Sequence, residues 1–460
     1  MAKFYKTPGV YIEEISNFPA SVAQVETAIP AFIGYTEKGP TEPTRISSML
    51  EFENLFGGPS DPTNLEIELN TDNTIKSVKV SNFNLLYDSL RLFYYNGGQD
   101  CWIVSAGSFR NSQSEISAGD FLAGLNYLEK EDSHTLILIP DLVNLPLSDA
   151  SEVQRAMLEH CNKVQYCFAI LDIVNGKQKA TSSVDPISDF RNNIGTNHLK
   201  YGAAYYPWLI SSLNHNIKYE VVLSGRYLKN GESIDIKSLF RPDIETLANK
   251  EIDPIYKSIL IGINSKLSEL PPSGAIAGVY SQVDGSRGVW KAPANVSLAG
   301  VISPSLNITS KEQDSLNVDV NAGKSINAIR MFTGKGVLVW GARTLAGNDN
   351  EWKYISVRRF FMMVEESIKK ATEQFVFEPN TANTWVRIKA MIENFLITLW
   401  KQGALAGVTP DHAYFIRVGL NQTMTAQDIL EGRLIVEIGL AVVRPAEFII
   451  LRFSITMNTQ

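Results

Sequence analysis

The sequence predicts a multi-domain α/β protein with a partly parallel sheet. Three observations carry that expectation. The chain has 460 residues, too many for one ordinary hydrophobic core. Between residues 101 and 209 short apolar strands alternate with helical stretches, the pattern that builds a parallel sheet. After about residue 287 the character changes to two long helices followed by β-prone runs, which marks a further domain.

In chain order, Thr7-Pro8-Gly9 is a turn signal before the β-rich run Val10–Ile15, and Asn17-Phe18-Pro19 breaks that run. A strand is predicted over Ala28–Tyr35 and a short helix over Ser48–Phe56, ended by Gly57-Gly58-Pro59. Residues 59–80 are polar and read as a loop or hairpin. Leu86, Leu90 and Phe93 recur at helical spacing, with Gly97-Gly98 as the stop and the strand Cys101–Ser105 directly after. Strands over Thr135–Ile139, Cys167–Val174 and Gly202–Leu209 alternate with helices. One carries Val153, Met157, Cys161 and Val164 on a single face, and another lies near 186–194. Asp149 stands three residues before Glu152, a pairing akin to a capping box.

Residues 211–275 read as an insertion or peripheral subdomain, with a strand at Tyr219–Leu223 and a helix near Ile252–Leu267. Gly288–Asn295 is turn-rich, and strand signals occur within Ile326–Trp340. Long helices are predicted over Tyr354–Phe375 and Thr384–Lys401; in the second, Trp385, Ile388, Ile392, Phe395 and Leu399 form one apolar stripe. A strand at Tyr414–Gly419 and a helical turn at Ala426–Leu430 precede two long β runs, Arg433–Val443 and Glu447–Met457, parted by Arg444-Pro445.

Composition narrows the function classes. An apolar share of 44% and a charged share of 20% suit a folded soluble protein. No stretch approaches 18 uninterrupted apolar residues, so neither a transmembrane helix nor direct membrane insertion is expected. The start Met1-Ala2-Lys3-Phe4-Tyr5-Lys6 has no signal-peptide hydrophobic region, which predicts synthesis and assembly in the cytoplasm. Cys101, Cys161 and Cys167 are too few for a disulfide framework and read as buried thiols. A formal net charge of -7 argues against nucleic acid as a partner, which requires a basic face.

Chemistry-bearing residues are sparse. Ala322-Gly323-Lys324-Ser325 resembles the end of a phosphate-binding loop, but Val318 stands where the motif requires glycine. Asp141 and Asp172 lie at the ends of apolar strands, where α/β sheets bind ligands. They could hold a metal or act as acid and base, or they could simply cap helices. His134, His160, His198, His215 and His412 show no ligand spacing with one another or with the cysteines. No cofactor, metal or catalytic set is expected. On the helix Thr384–Lys401, Arg387, Lys389 and Lys401 against Glu393 leave a net positive face, which reads as solvated surface or as a seat for an acidic partner.

The two ends are the most informative feature. Each carries a β-prone apolar segment, and such a segment left unpaired is an open edge and an aggregation hazard. It must join its own sheet or be donated to a neighbour's. Pro8 and Pro19 flank the first segment, which suits a detached arm better than a central strand.

The chain resembles the tail sheath family of contractile phages, tailocins and extracellular contractile injection systems. The opening Thr7-Pro8-Gly9-Val10-Tyr11-Ile12-Glu13-Glu14, then Ala31-Phe32-Ile33-Gly34, and Gly278-Val279-Tyr280 with Asp284 carry the resemblance. So do Arg287-Gly288-Val289-Trp290-Lys291-Ala292-Pro293-Ala294-Asn295, Ile326-Asn327 and Trp340-Gly341-Ala342-Arg343-Thr344-Leu345. The helix starting Trp352-Lys353-Tyr354-Ile355-Ser356-Val357-Arg358-Arg359 and the ending from Asp428-Ile429 to Met457 complete the set. The match runs end to end, weakest over 211–275.

The resemblance implies a sheath subunit that stacks as hexameric rings around an inner tube and contracts to drive that tube through a target envelope. It implies an N-terminal arm at 1–24, an outer α/β domain at 25–286, an inner tube-facing domain of long helices and a small sheet at 287–445, and a C-terminal strand at 446–460. Val10, Tyr11, Ile12 and Ile15, with Phe448, Ile449, Ile450, Leu451, Phe453 and Ile455, would be donated between subunits. Leu434, Val436, Ile438, Leu440 and Val442 would form the accepting sheet. Arg387, Lys389 and Lys401 would face the tube. Partners would be further copies of the chain, the tube protein, baseplate and terminator or cap proteins, within a virion, released particle or cell-anchored apparatus. A non-contractile filament protein, or an α/β enzyme using Asp141 and Asp172, are the alternatives.

Overall fold

The computed structural model describes residues 21–70, 74–181, 184–229, 232–240, 253–319, 321–448 and 450. In chain order the strands begin with β1 (Pro30–Thr36), β2 (Thr44–Ile46), β3 (Thr63–Leu69), β4 (Ile75–Ser81), β5 (Cys101–Ser108) and β6 (Leu136–Leu138). They continue with β7 (Phe168–Asp172), β8 (Gly202–Tyr206), β9 (Leu209–Ser211), β10 (Arg226–Lys229), β11 (Glu232–Asp235) and β12 (Glu269–Leu270). Last come β13 (Val296–Ser297), β14 (Val301–Pro304), β15 (Asn327–Phe332), β16 (Gly336–Val339), β17 (Tyr414–Arg417) and β18 (Glu437–Leu440).

The main sheet has nine strands in the order β13-β16-β15-β8-β7-β6-β1-β5-β2. Its central run from β15 to β5 is parallel throughout, and antiparallel pairs close both edges. β1, β6, β7 and β8 are buried along their whole length, which is why they read as continuous apolar runs rather than as alternations. Helices Ala118–Leu128, Leu147–Val164 and Pro186–Asn193 make the successive crossovers from β5 to β8. The strand-helix-strand alternation thus has the origin assigned to it. All three cysteines are buried and free.

Several local expectations need correction. The helix Ala118–Leu128 escapes the sequence reading because Gly119 and Gly124 dilute its stripe. Gly124 is required by close approach: a Cβ there would stand 2.6 Å from Ile33 Cγ2. The helix carrying Val153 and Cys161 starts at Leu147, without a side-chain cap, and Asp149 instead accepts a hydrogen bond from Ser148 Oγ at 2.8 Å. Starting two residues earlier puts Asp149 inside the first turn rather than at its cap. Tyr219–Leu223 is a short helix, not a strand; it buries Val222 against Leu65, Ile67 and their neighbours, and that packing overrides the β preference of its valines.

The polar hairpin β3–β4 and the span 211–275 belong together. β10 pairs in parallel with β3, giving a four-stranded sheet in the order β11-β10-β3-β4. The helix Pro254–Leu267 covers it, and Leu65, Ile67, Val78, Ile259 and Ile263 form a core of their own.

The described residues divide into two compact units, Glu26–Met363 with those from Arg444, and Val364–Val443 with residues 21–25. The main sheet and the four-stranded sheet lie in the first. In the second, the helix Ala382–Lys401 buries Ile388, Met391, Ile392, Phe395, Leu396 and Leu399. The predicted stripe is therefore a core face, although Trp385 is only half-buried and donates its Nε1–H to Asn380 at 2.7 Å. Gly403, at φ +82, ends this helix as expected.

Candidate assembly interface

The small unit contains a sheet of only two strands. β17 and β18 pair antiparallel, from Tyr414 opposite Leu440 to Arg417 opposite Glu437. The long β run Arg433–Val443 is thus shorter in the structure than in the sequence reading. Its ladder can extend only as far as a four-residue partner, with one further bridge from Val442 to Leu405. Leu434, Val436, Ile438, Leu440 and Val442 are all half-buried. Among the described residues neither outer edge of this sheet carries another strand. A two-stranded ribbon is marginal in water unless it packs on another element, and this one rests on the helix Ala382–Lys401. Around it the unit exposes Phe415, Leu420, Leu430, Ile435, Val408, Val386, Val376 and a fully exposed Phe377.

Of the residues expected to be donated, Val10, Tyr11, Ile12, Ile15, Ile449, Leu451, Phe453 and Ile455 lie outside the described residues. Phe448 and Ile450 are 71% and 77% exposed. Arg387, Lys389 and Lys401 are exposed on the helix Ala382–Lys401. Arg387 lies 3.7 Å from Glu378 and over the Phe375 ring at 5.3 Å.

Two buried arginines hold the segments from which the chain ends depart. Arg359 grips Asp284 with both terminal nitrogens, Nη2 to Oδ2 at 2.6 Å and Nη1 to Oδ1 at 3.0 Å. The same Nη2 donates to the Thr27 carbonyl at 2.8 Å, and Thr27 Oγ1 donates to Asp284 Oδ2 at 2.6 Å. The guanidinium lies over the Tyr280 ring at 4.5 Å. Arg343 forks onto Glu447 through Nη2 at 2.6 Å and Nε at 2.9 Å. Asn317 Nδ2 at 2.8 Å and the Tyr354 hydroxyl at 3.2 Å donate to the same carboxylate. Sequence reasoning named Asp284, Arg343 and Arg359 as motif residues but could not pair them. The partners lie 75 and 104 residues apart, and nothing in a linear pattern links them.

The candidates for chemistry have structural employment instead. Asp141 sits where the crevice of an α/β sheet would open, between β6 and β1, and it fills that place itself. Its Oδ2 accepts from Tyr35 N at 2.7 Å, and its Oδ1 from Leu85 N and Leu86 N at the start of the helix Leu86–Tyr95. A Cβ on Gly34 would stand 2.6 Å from this carboxylate, so no space for a ligand remains. Asp172 accepts from Ser273 N at 2.9 Å, at the start of the helix Ser273–Arg287. Both side chains are sealed from solvent. The reading of helix caps prevails over that of acid and base.

The phosphate-loop resemblance ends the same way. The loop folds around an anion, but the anion is Asp319, whose carboxylate takes N–H donors from Asn321, Ala322 and Lys324 at 3.1, 3.2 and 3.3 Å. Lys324 Nζ turns away to the Arg191 carbonyl, and Ser325 Oγ donates to Asn317 O at 2.6 Å. His134 and His160 meet at 3.1 Å between their Nε2 atoms, a pairing that spacing did not reveal. Burial, then the nearby His160, pushes His134 down to about 3, so this is a neutral pair. Among the described residues no group of three or more histidine, cysteine or acidic side chains could hold a metal ion. Nor is any described helix long and apolar enough to cross a membrane.

Burial raises Asp172 to about 7, against the opposing hydrogen bonds of Ser273. The folded chain then holds a proton that the unfolded chain, near 3.8, releases. Stability from this group is full below pH 4 and falls as pH rises to about 7, by at most about 1.4 kcal/mol per pH unit. Asp172→Asn carries no such proton. Urea melts at pH 5 and pH 8 should show the variant gaining on the parent at pH 8; parallel curves would contradict this account.

Comparison with known proteins bears on the whole chain. A model of the phage tail sheath protein central domain matches residues 114–345, and one of the phage tail sheath C-terminal domain matches 347–456. The tail sheath protein of Vibrio phage KVP40 is 23% identical over 370 residues, 77% of this chain and 47% of that protein. The chain thus spans about half the length of that curated relative. Solved sheath structures are similar at full length. In the sheath complex of the extracellular contractile injection system PVC, in its contracted state, identity is 30%, coverage 98% of both chains and the TM-score 0.65. In the baseplate structure of the anti-feeding prophage, identity is 32%, coverage 99% and 100%, and the TM-score again 0.65.

Proposed function

This chain belongs to the phage tail sheath family, whose members are structural proteins and not enzymes, and on that footing we propose that it is the subunit of a contractile sheath. Copies stack as hexameric rings around an inner tube, attach to a baseplate at one end and a terminator at the other, and shorten to drive the tube through an envelope. Assembly takes place in the bacterial cytoplasm, within a virion, a released particle or a cell-anchored apparatus. The observation that carries this reading is the two-stranded sheet β17–β18, whose outer edges bear no other strand among the described residues, set amid exposed apolar side chains. The N-terminal arm of one subunit, with Val10, Tyr11, Ile12 and Ile15, and the C-terminal strand of another, Phe448 to Ile455, are the strands that complete it.

The energetics are adequate to the task. A donated strand of some six residues forms several backbone hydrogen bonds worth about 0.5–1.5 kcal/mol each. Alternate apolar side chains add roughly 1.5–3 kcal/mol apiece on burial. Such tethers hold subunits together while more polar contacts exchange. Contraction draws on the new subunit contacts and not on a nucleotide, since the phosphate-like loop is filled by Asp319. Arg387, Lys389 and Lys401 meet an acidic tube surface by charge complementarity, Arg387 and Lys401 from one side of the helix and Lys389 from another.

A contractile sheath predicts two polymer states, and a plain filament predicts one. Electron micrographs of particles carrying this chain should show long narrow and short wide sleeves, with conversion in one direction only. Sleeves of one fixed pitch under every condition would favour the filament reading.

A further inference from the structure

We propose that the two arginine clamps, Arg359–Asp284–Thr27 and Arg343–Glu447, are the anchors that set where the two end segments leave the subunit and, at Glu447, the register of the segment that follows. This rests on the strand-donation reading and adds to it which residues aim the strands.

The two clamps share one construction at unrelated places in the chain. Each is a buried arginine forked onto a carboxylate. Side-chain exposure is 3% for Arg359 and 6% for Asp284, and 7% for Arg343 against 22% for Glu447, so the second clamp opens to solvent on its carboxylate side. Each receives a group from the root of a chain end. At the N-terminal root it is Thr27, through both its carbonyl and its hydroxyl. At the C-terminal root it is Glu447 itself, immediately before the exposed Phe448. Well-packed apolar residues would hold a core as well as buried ion pairs do, so their stabilising value does not explain two such clamps. A planar fork, in contrast, fixes both position and direction.

Direction is what a donated strand requires. Side chains alternate faces every residue, so a slip of one residue, about 3.3 Å, turns the apolar face outward. Glu447 lies two residues before Ile449 and four before Leu451, so a fixed Glu447 sets the phase of the segment that follows. A freed root would also lower the effective concentration of the strand at its acceptor edge. The motif residues Asp284, Arg343 and Arg359, which no catalytic reading absorbs, acquire a role on this account.

The test uses the full-length chain and variants at the roots rather than at the arginines. Thr27→Val should melt within a few degrees of the parent, and Glu447→Ala, which leaves the buried Arg343 guanidinium without its carboxylate, should melt lower yet stay folded at the assembly temperature. They should need at least tenfold higher concentration to polymerise, and their polymers should lose helical order in electron micrographs. Glu447→Gln, which keeps the shape and part of the hydrogen bonding, should fall between. If Glu447→Ala fails to fold, the onset concentration of Glu447→Gln decides alone. Parent-like onset and order in the folded root variants would overturn the proposal. A chain lacking residues 449–460 separates the two ideas. If it fails to polymerise while Glu447→Ala polymerises normally, only the anchor proposal falls. If it also polymerises normally, donation by the C-terminal strand falls with it.

Discussion

A chain lacking residues 1–20 is expected to fold, to melt much as the parent does, and to form no sheath. The fold should survive because the described buried core begins at Ile29, and the main sheet begins at Pro30. What is removed is the segment containing Val10, Tyr11, Ile12 and Ile15. If that segment is a strand given to a neighbour, each lost copy forfeits several hydrogen bonds and the burial of alternate side chains, roughly 5–10 kcal/mol per contact. Every 1.4 kcal/mol is about tenfold in association, so polymerisation should vanish at any practical concentration. Calorimetry together with electron microscopy checks both halves. Sheaths of normal length from the shortened chain would refute donation by this arm.

The second large effect is expected from changing Ile449, Leu451 and Phe453 together to Asp. The three positions share one parity, so in a strand they line one face. Three apolar anchors would be lost, and three carboxylates would have to be desolvated against an apolar sheet. The loss should exceed about 5 kcal/mol per strand, more than weak neighbouring contacts can replace. The nine-stranded sheet should remain intact, because its strands all lie between Pro30 and Val339 and the core described around them is built from residues 31–362. A near-native far-ultraviolet spectrum with no polymer is the expected result. Polymers of normal appearance would count against the assignment of this segment.

Much of the architecture was legible because burial on both faces leaves a direct trace. β1, β6, β7 and β8 are apolar runs bounded by turns, and a long helix such as Ala382–Lys401 writes its core face as a stripe. What escaped detection was set by distance. The pairing of β3 with β10 joins residues near 67 to residues near 227, so a hairpin and an apparent insertion prove to be one sheet. Gly124 puts no apolar side chain into the stripe of its helix, and the reason for a glycine there, Ile33, lies on another element. The ion pairs at the chain roots were invisible for the same reason, although their arginines stood inside recognised motifs. Asp141 and Asp172 were correctly placed at strand ends, but whether such a carboxylate caps a helix or meets a ligand depends on what fills the crevice.

Among the described residues the pair β17–β18 has two vacant sides, and the chain has two β-prone ends. If every end fills a side, supply and demand match one to one inside a lattice, with nothing left over and nothing missing. The mismatch is then confined to the outermost layers, where sides stand empty or ends dangle. Such an object grows only at its rims, repairs no gap in its wall without tearing two neighbours, and stays reactive until a different protein seals its last layer.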